Sequence, residues 1–324
     1  TDFIKKSNGN LKGDFEIEGP LDDLNYNGFL AFDGVQFNLA TLNTLFQLKN
    51  ERIELTKNKV SFDDFTIADK QDNTLTANGS IDIESIINPE FDLSFEAKDF
   101  QLLNSTAKDN DLYYGKLVFD ASAKLNGNLD LPKVDLNLTI KEETDLTYII
   151  PESRASIEER DGVVVFVNKE NPDNILTQTD DKDLNAVITG IDLNSDISIQ
   201  KKSKVSVIFN KRTGDNVAIK GGGDFRFSIS RTGKMNLVGK YDVTDGSVEL
   251  NLYNIVKRKF NIASSSSVTW SGNPYNADLD LRAIYNIETS TSSLMASTSW
   301  SNCSSSSSTV SQSTNLVRNC FSYL

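Results

Sequence analysis

The sequence contains no histidine. Ser-His-Asp and Cys-His nucleophile arrangements and His-ligated metal sites are therefore excluded. Its two cysteines, Cys303 and Cys320, both lie near the C-terminus. The rest of the chain is cysteine-free, which suits an oxidising compartment. Basic charge is scarce: 33 Lys and Arg stand against 46 Asp and Glu, for a net charge of −13. Binding nucleic acid needs clustered cations, so nucleic acid is excluded as a partner. The acidity reads as a solvated outer face. Long apolar runs are also missing. The densest, Val163-Val164-Val165-Phe166-Val167, is strand-sized and far short of a membrane span. Apolar residues make up 38% of the 324. That is low for a compact core but enough for a sheet with one dry face. The start, Thr1-Asp2-Phe3-Ile4, has neither an initiator Met nor a signal peptide, so the chain is expected to begin inside a longer protein.

What the chain does have is alternation. Between Gly221 and Tyr285 apolar residues recur at every second position: Phe225, Phe227, Ile229; Val248, Leu250, Leu252; Leu279, Leu281, Ala283, Tyr285. Polar residues fill most places between them, the period of a strand with one dry and one wet face. Turn signals stand at Arg231-Thr232-Gly233, Thr244-Asp245-Gly246 and Ser271-Gly272-Asn273-Pro274. The same rhythm runs upstream through Leu11–Phe37, Arg52–Leu55, Lys59–Ile67, Leu75–Ile83, Phe91–Ala97 and Val134–Ile140. Thr41–Leu48 reads as a brief helix or a further strand. A Gly-x-Phe/Leu-x-Ile/Phe pattern returns at Gly13, Gly115 and Gly223, a loose β repeat.

The closing stretch carries Gly239-x-Tyr241, Gly246-Ser-Val248, Phe260-x-Ile262 and Val268-x-Trp270-x-Gly272-x-Pro274-x-x-Ala277, then Leu279-Asp-Leu281-x-Ala283-x-Tyr285. It resembles the C-terminal domain of the TamB family, the translocation and assembly module proteins of bacterial envelopes, within the AsmA-like group. The resemblance is dense over Gly221–Tyr285, diffuse upstream to about Gly9, and is expected to stop near Ser297. The family usually has a glycine before the Ser-x-Ile/Val-x-Trp strand. Ser264–Ser267 stand there instead, a departure at that turn.

Four regions are expected: an AsmA/TamB-like repeat region over 1–150, an irregular excursion from the sheet over 151–185, a TamB-type β domain over 186–288, and a Ser/Thr-rich low-complexity tail over 289–324. The tail cannot build a packed core and reads as a frameshift product replacing further strands. The fold class is all-β. About 20 to 25 antiparallel strands at ~4.8 Å would form a sheet roughly 100 Å long. One apolar face of that length must be covered, closed into a barrel or curled. The resemblance implies the last, an elongated trough shaped like a taco with an apolar interior.

Several motifs suggest chemistry and read better without it. Asp109-Asn110-Asp111 and Asp180-Asp181-Lys182-Asp183 lack calcium-loop spacing and read as solvated loops. Asp278 and Asp280 alternate toward the wet side and make a poor catalytic pair. Gly221-Gly222-Gly223 has no following Lys-Ser/Thr and reads as a flexible start to a strand, not a phosphate loop. Lys257-Arg258-Lys259 reads as a solvated turn or a contact for anionic head groups. No enzyme site, metal or cofactor is expected.

The candidate groove lining is Phe225, Phe227, Ile229, Leu237, Tyr241, Val248, Leu250, Leu252, Phe260, Ile262, Val268, Trp270, Leu279, Leu281, Ala283 and Tyr285. Such a trough suits phospholipid acyl chains. The resemblance implies a periplasmic protein of cell-envelope assembly, held in the inner membrane by an N-terminal anchor outside this sequence. It implies conduction of phospholipids to the outer membrane or help in outer-membrane protein insertion, with a β-barrel of the TamA or BamA type as partner. The competing reading is a surface adhesin or structural β protein whose apolar face packs against another sheet.

Overall fold

The computed structural model describes residues 4–20, 24–151, 190–252, 256–288 and 309–313. All eighteen elements among them are strands. They are β1 (Ile4–Glu18), β2 (Asn25–Leu39), β3 (Thr44–Thr56), β4 (Lys59–Ala68), β5 (Thr74–Asp82), β6 (Glu90–Ser105), β7 (Tyr113–Asn128), β8 (Lys133–Ile140) and β9 (Asp145–Ile149). After residues 150–191 come β10 (Asp192–Ile199), β11 (Lys204–Asn210), β12 (Asp215–Ile229), β13 (Met235–Leu252), β14 (Val256–Ile262), β15 (Ser267–Gly272), β16 (Ala277–Asp280), β17 (Ala283–Glu288) and β18 (Thr309–Ser313).

β1 to β7 form an antiparallel meander, each strand paired with the next. β8 and β9 lie end to end along β7. β10 and β11 lie end to end along β12. Between these two broken strands the pairing is parallel, β8 with β10 and β9 with β11. The sheet is otherwise antiparallel, so this junction departs from the expected meander. A parallel pair needs a crossover of a dozen residues or more. Residues 150–191 make that connection, which gives the expected excursion a topological reason. The helical turn read at 152–160, the Val163–Val167 run and the Asp180–Asp183 loop lie outside the described residues.

Among the described residues, strands run longer than the turn signals predict. Thr244-Asp245-Gly246 is not a turn. It is a bulge inside the eighteen-residue β13, where Lys220 and Gly221 of β12 face Asp245 and Val243. Asp33-Gly34 likewise lies within β2. A turn signal and a bulge draw on the same residues, because both need a local break in the pleat. Thr41–Leu48 resolves into a tight turn followed by β3. The tail supplies one strand, since β18 pairs antiparallel with β17.

The sheet curls by two devices. At one margin it folds back on itself. Phe46 on β3 stacks on Phe100 of β6 with ring centroids 5.7 Å apart, although β4 and β5 separate their strands. On a flat sheet three steps would hold them about 14 Å apart. Asn104 N donates to Leu42 O at 3.1 Å, and Lys5 Nζ lies 2.6 Å from Asp109. Asp109 also accepts from Thr106 N and Oγ1, so the loop read as solvated at Asp109-Asn110-Asp111 is a capped turn.

The second device is a crease running from β7 to β17. Three four-residue breaks interrupt the strands at residues 141–144, 200–203 and 263–266, and each ends in a buried hydroxyl: Thr144, Ser203 and Ser266. Thr144 Oγ1 bonds Val118 N and O. Ser203 Oγ donates to Lys141 O at 2.9 Å, and Ser266 Oγ accepts from Arg282 N at 3.0 Å. The hydroxyls satisfy backbone groups that the bend takes out of the ladder. This also explains the glycine-free turn before β15: Ser266 N closes it onto Ala263 O, and its hydroxyl reaches the next strand. Lys141, in the first break, bridges Asp99 at 2.8 Å and Asp120 at 2.7 Å. Hydrogen bonds to Asp120 and Asp99 raise the Lys141 pKa. Burial lifts the Asp120 carboxyl, but the bonds from Asp99 N and Lys141 outweigh it and hold it low.

Gly221-Gly222-Gly223 lies on the crease in mid-strand, not at the flexible start of one. A Cβ on Gly223 would stand 1.9 Å from Lys240 O, and one on Gly221 2.3 Å from Asp242 O. Neighbouring backbones approach too closely here for any side chain.

A candidate apolar trough

Cross-strand partners point to the same side of a sheet, so the register assigns every strand's faces. On β12, Phe225, Phe227 and Ile229 stand opposite Gly239, Leu237 and Met235 of β13. Gly239 faces Trp270, which faces Ala277; Tyr241 faces Val268, which faces Leu279. Val248 faces Phe260, Leu250 faces Arg258 and Leu252 faces Val256. Ile262 faces Ala283, and the Tyr285 ring lies 5.2 Å from that of Phe260. Leu281 joins β16 to β17 and is half-buried. The structure thus brings the candidate lining together on one face.

Depth varies along that face. Ile229, Tyr241 and Ile262 are buried. Tyr241, Val243 and Ile262 form a core at the crease, against Ile199, Val217, Phe225, Val248, Val268 and Trp270. Phe225, Phe227, Leu237, Val248, Leu250, Phe260, Val268, Trp270, Ala283 and Tyr285 are half-buried, while Leu279 is 36% exposed. Trp270 packs edge-on to Phe225 at 5.8 Å and donates its indole N–H to Pro274 O at 3.0 Å. A hollow of about 500 Å³ beside Phe225 and Gly239 is lined mostly by residues of the opposite, polar face, among them Asn137, Asp196, Arg226 and Val238, and so does not belong to the trough.

The face extends well beyond the closing stretch. Across the parallel junction Ile229 continues to Leu193 and Val134, and Phe225 to Ile197 and Leu138. From β7 it passes through Phe119–Phe100, Ala123–Phe95 and Leu125–Leu93 to β6. It then reaches Phe65–Ala77, Ile53–Phe62 and Leu30–Ile53. It ends on β1, where Leu11, Phe15 and Ile17 are each more than half exposed. Sequence reasoning confined the lining to β12–β17, yet the same alternation upstream carried the signal.

Other singled-out residues fall elsewhere. Asp278 and Asp280 face Thr269 and Ser267, away from the apolar set. Lys257-Arg258-Lys259 is not a solvated turn but part of β14. The alternation puts Arg258 on the apolar face, opposite Leu250, and its two lysine neighbours on the other. The Arg258 guanidinium sits over the Tyr285 ring, 5.2 Å from its centroid, and donates to the Tyr285 hydroxyl. The parity of Phe260 and Ile262 foretells this placement. Tyr241 carries the other polar oddity: its hydroxyl is buried and has no partner among the described residues. Burial alone pushes its pKa up to about 12.

The model of the TamB C-terminal domain matches residues 63–317. The match runs past Ser297 and takes in β18. No curated protein and no solved structure matches the chain. A long all-β sheet with one apolar face and a match over most of the sequence agree, and the chain belongs to the TamB family, whose members are transport and assembly proteins of bacterial envelope biogenesis.

Proposed function

We propose that the apolar face is a groove for phospholipid acyl chains, and that the protein conducts phospholipids across the periplasm toward the outer membrane. The observation that supports this reading is the state of the face itself. It runs from β1 to β17, with Glu51 and Arg258 set among its apolar side chains, and most of its large side chains in the closing stretch are only half-buried. Apolar surface left in that state on a curled sheet favours a greasy ligand over a finished core. A packed sandwich would bury the same side chains against a second layer, and every described strand belongs to this one sheet. In the full-length protein an N-terminal anchor in the inner membrane would set one end of the path.

A second reading has its own observation. β1 is fifteen residues long, exposed throughout, and pairs only with β2 among the described strands. An open edge of that length offers strand addition to a protein partner. An outer-membrane β-barrel of the TamA or BamA type fits that role, and with it assistance to outer-membrane protein insertion.

The chain has two tryptophans, so a Trp300→Phe variant leaves Trp270 as the sole reporter in the groove. Phospholipid with brominated acyl chains should quench Trp270 fluorescence saturably. Phe225→Asp and Leu250→Asp should abolish the quenching while far-UV circular dichroism still reports a sheet. A folded protein whose Trp270 is untouched by brominated lipid would reject the groove in favour of strand addition or a packed face.

A further inference from the structure

We infer that Arg258 and Tyr285 form a head-group station in the trough, binding the phosphate of a phospholipid whose acyl chains lie along Phe260 and Ile262. This rests on the lipid-groove reading and adds where a lipid is held and by which chemistry.

The argument begins with a charge in the wrong place. Arg258 shares its face with Val256, Phe260 and Ile262, and stands opposite Leu250. A guanidinium among apolar side chains loses hydration, and such a charge ordinarily has a counter-charge. The lysines on either side are placed otherwise. Lys259 faces the solvated side and pairs with Glu249 at 3.5 Å; Lys257 is exposed. Arg258 pairs with no carboxylate among the described residues, and its guanidinium donates to a neutral phenol. Glu51, an acidic residue opposite Phe32 on the same face, is engaged by Thr66 N at 2.7 Å. The arginine therefore keeps donors in hand: a guanidinium has five N–H groups in a planar fork that matches phosphate oxygens.

Tyr285 makes the placement specific. Its ring lies 5.2 Å from the guanidinium carbon and 5.2 Å from the Phe260 ring, and this packing limits where the fork can go. An arginine held by stacking loses less conformational freedom on binding an anion.

Position along the strand supplies the ligand class. Val256, two residues before Arg258, is exposed, and Ile262, four residues after it, is buried at the crease. Polarity thus grades over about 20 Å from an exposed rim, through a cation, to a dry floor. A phospholipid is graded in the same order: head group, phosphate, acyl chain. Free phosphate would use only the cation, and a purely apolar ligand only the floor.

The test separates this claim from the groove on which it rests. In the Trp300→Phe background, brominated phosphatidylglycerol and brominated diacylglycerol with the same chains are titrated from detergent micelles, with Trp270 quenching as the readout. Wild type should bind the phospholipid about tenfold more tightly, the size expected of one charge-assisted hydrogen-bond set. Arg258→Gln should remove that preference and leave diacylglycerol binding unchanged; Arg258→Lys should restore part of it. Inorganic phosphate should compete weakly or not at all. If Arg258→Gln keeps the preference, or wild type has none, the head-group station is wrong while the groove stands. If neither lipid quenches wild type, the groove itself is wrong and the station falls with it. Strong competition by free phosphate would make Arg258 a simple anion site and overturn the lipid assignment.

Discussion

Replacing Tyr241 by phenylalanine should make the protein more stable. The ring is well used: it covers Gly221, faces Val268 across the strand, and joins Val243 and Ile262 in the core at the crease. The hydroxyl is not. It is buried without a partner among the described residues, and only 6% of the residue is exposed. A buried donor that loses water and gains nothing costs about 1–3 kcal/mol. Tyr241→Phe removes that cost, keeps the ring, and creates no cavity beyond one oxygen. The expected gain is about 1 kcal/mol, enough to raise the midpoint of thermal unfolding by ~1.5 °C in a chain of this size. Urea unfolding followed by far-UV circular dichroism measures it directly, and an unchanged slope would show that only the native state changed. Tyr285→Phe is the matched control. Its hydroxyl accepts from Arg258, so its loss should be neutral or mildly destabilising. If Tyr241→Phe instead lowers stability by 1 kcal/mol or more, the hydroxyl has a partner, and the picture of a dry, unsatisfied crease is wrong.

Three further outcomes test the architecture. Ser203→Ala should cost about 1–2 kcal/mol in urea unfolding, because it strands Lys141 O at a fully buried bend; Ser→Ala at exposed Ser264 should cost nothing measurable. Gly223→Ala should cost roughly 1–3 kcal/mol or prevent folding, since its Cβ would meet Lys240 O at 1.9 Å, whereas Gly13→Ala, where the nearest atom is a Phe15 ring carbon at 3.1 Å, should be milder. The Lys5–Asp109 tie gives a pH signature. Hydrogen bonds from Lys5 and Thr106 hold the Asp109 pKa at about 2 against an ordinary 3.8. A depressed carboxyl stabilises the fold fully above its unfolded pKa and loses that contribution as pH falls toward the folded value. The stability gap between wild type and Asp109→Asn should thus be constant above about pH 5 and close as pH approaches 2; a gap that stayed constant down to pH 2 would remove the tie.

The sequence by itself determined which face of each strand is apolar. Period-two alternation is a property of the pleat, and it holds for Phe225, Phe227 and Ile229 whatever they pair with. It also determined family membership, because the Val268–Ala277 and Leu279–Tyr285 patterns are contiguous in the chain. Even Arg258 was legible, since counting back in twos from Ile262 and Phe260 puts it inside.

The tertiary structure decided the rest. Whether Thr244-Asp245-Gly246 turns the chain or merely bulges it depends on what β12 offers opposite, and close glycine backbones there allow the strand to continue. Whether β8 meets β10 in parallel depends on a connection of some forty residues and not on either strand's own residues, which would fit an antiparallel partner equally well. The crease lies in no single stretch. Thr144, Ser203 and Ser266 are ordinary polar residues in a serine-rich chain, and only the pairing of strands from β7 to β17 aligns their hydroxyls into one bend. Alternation is local and survives any arrangement of strands. Curl is a sum of distant breaks brought into register, so it emerges only when the strands have found their neighbours.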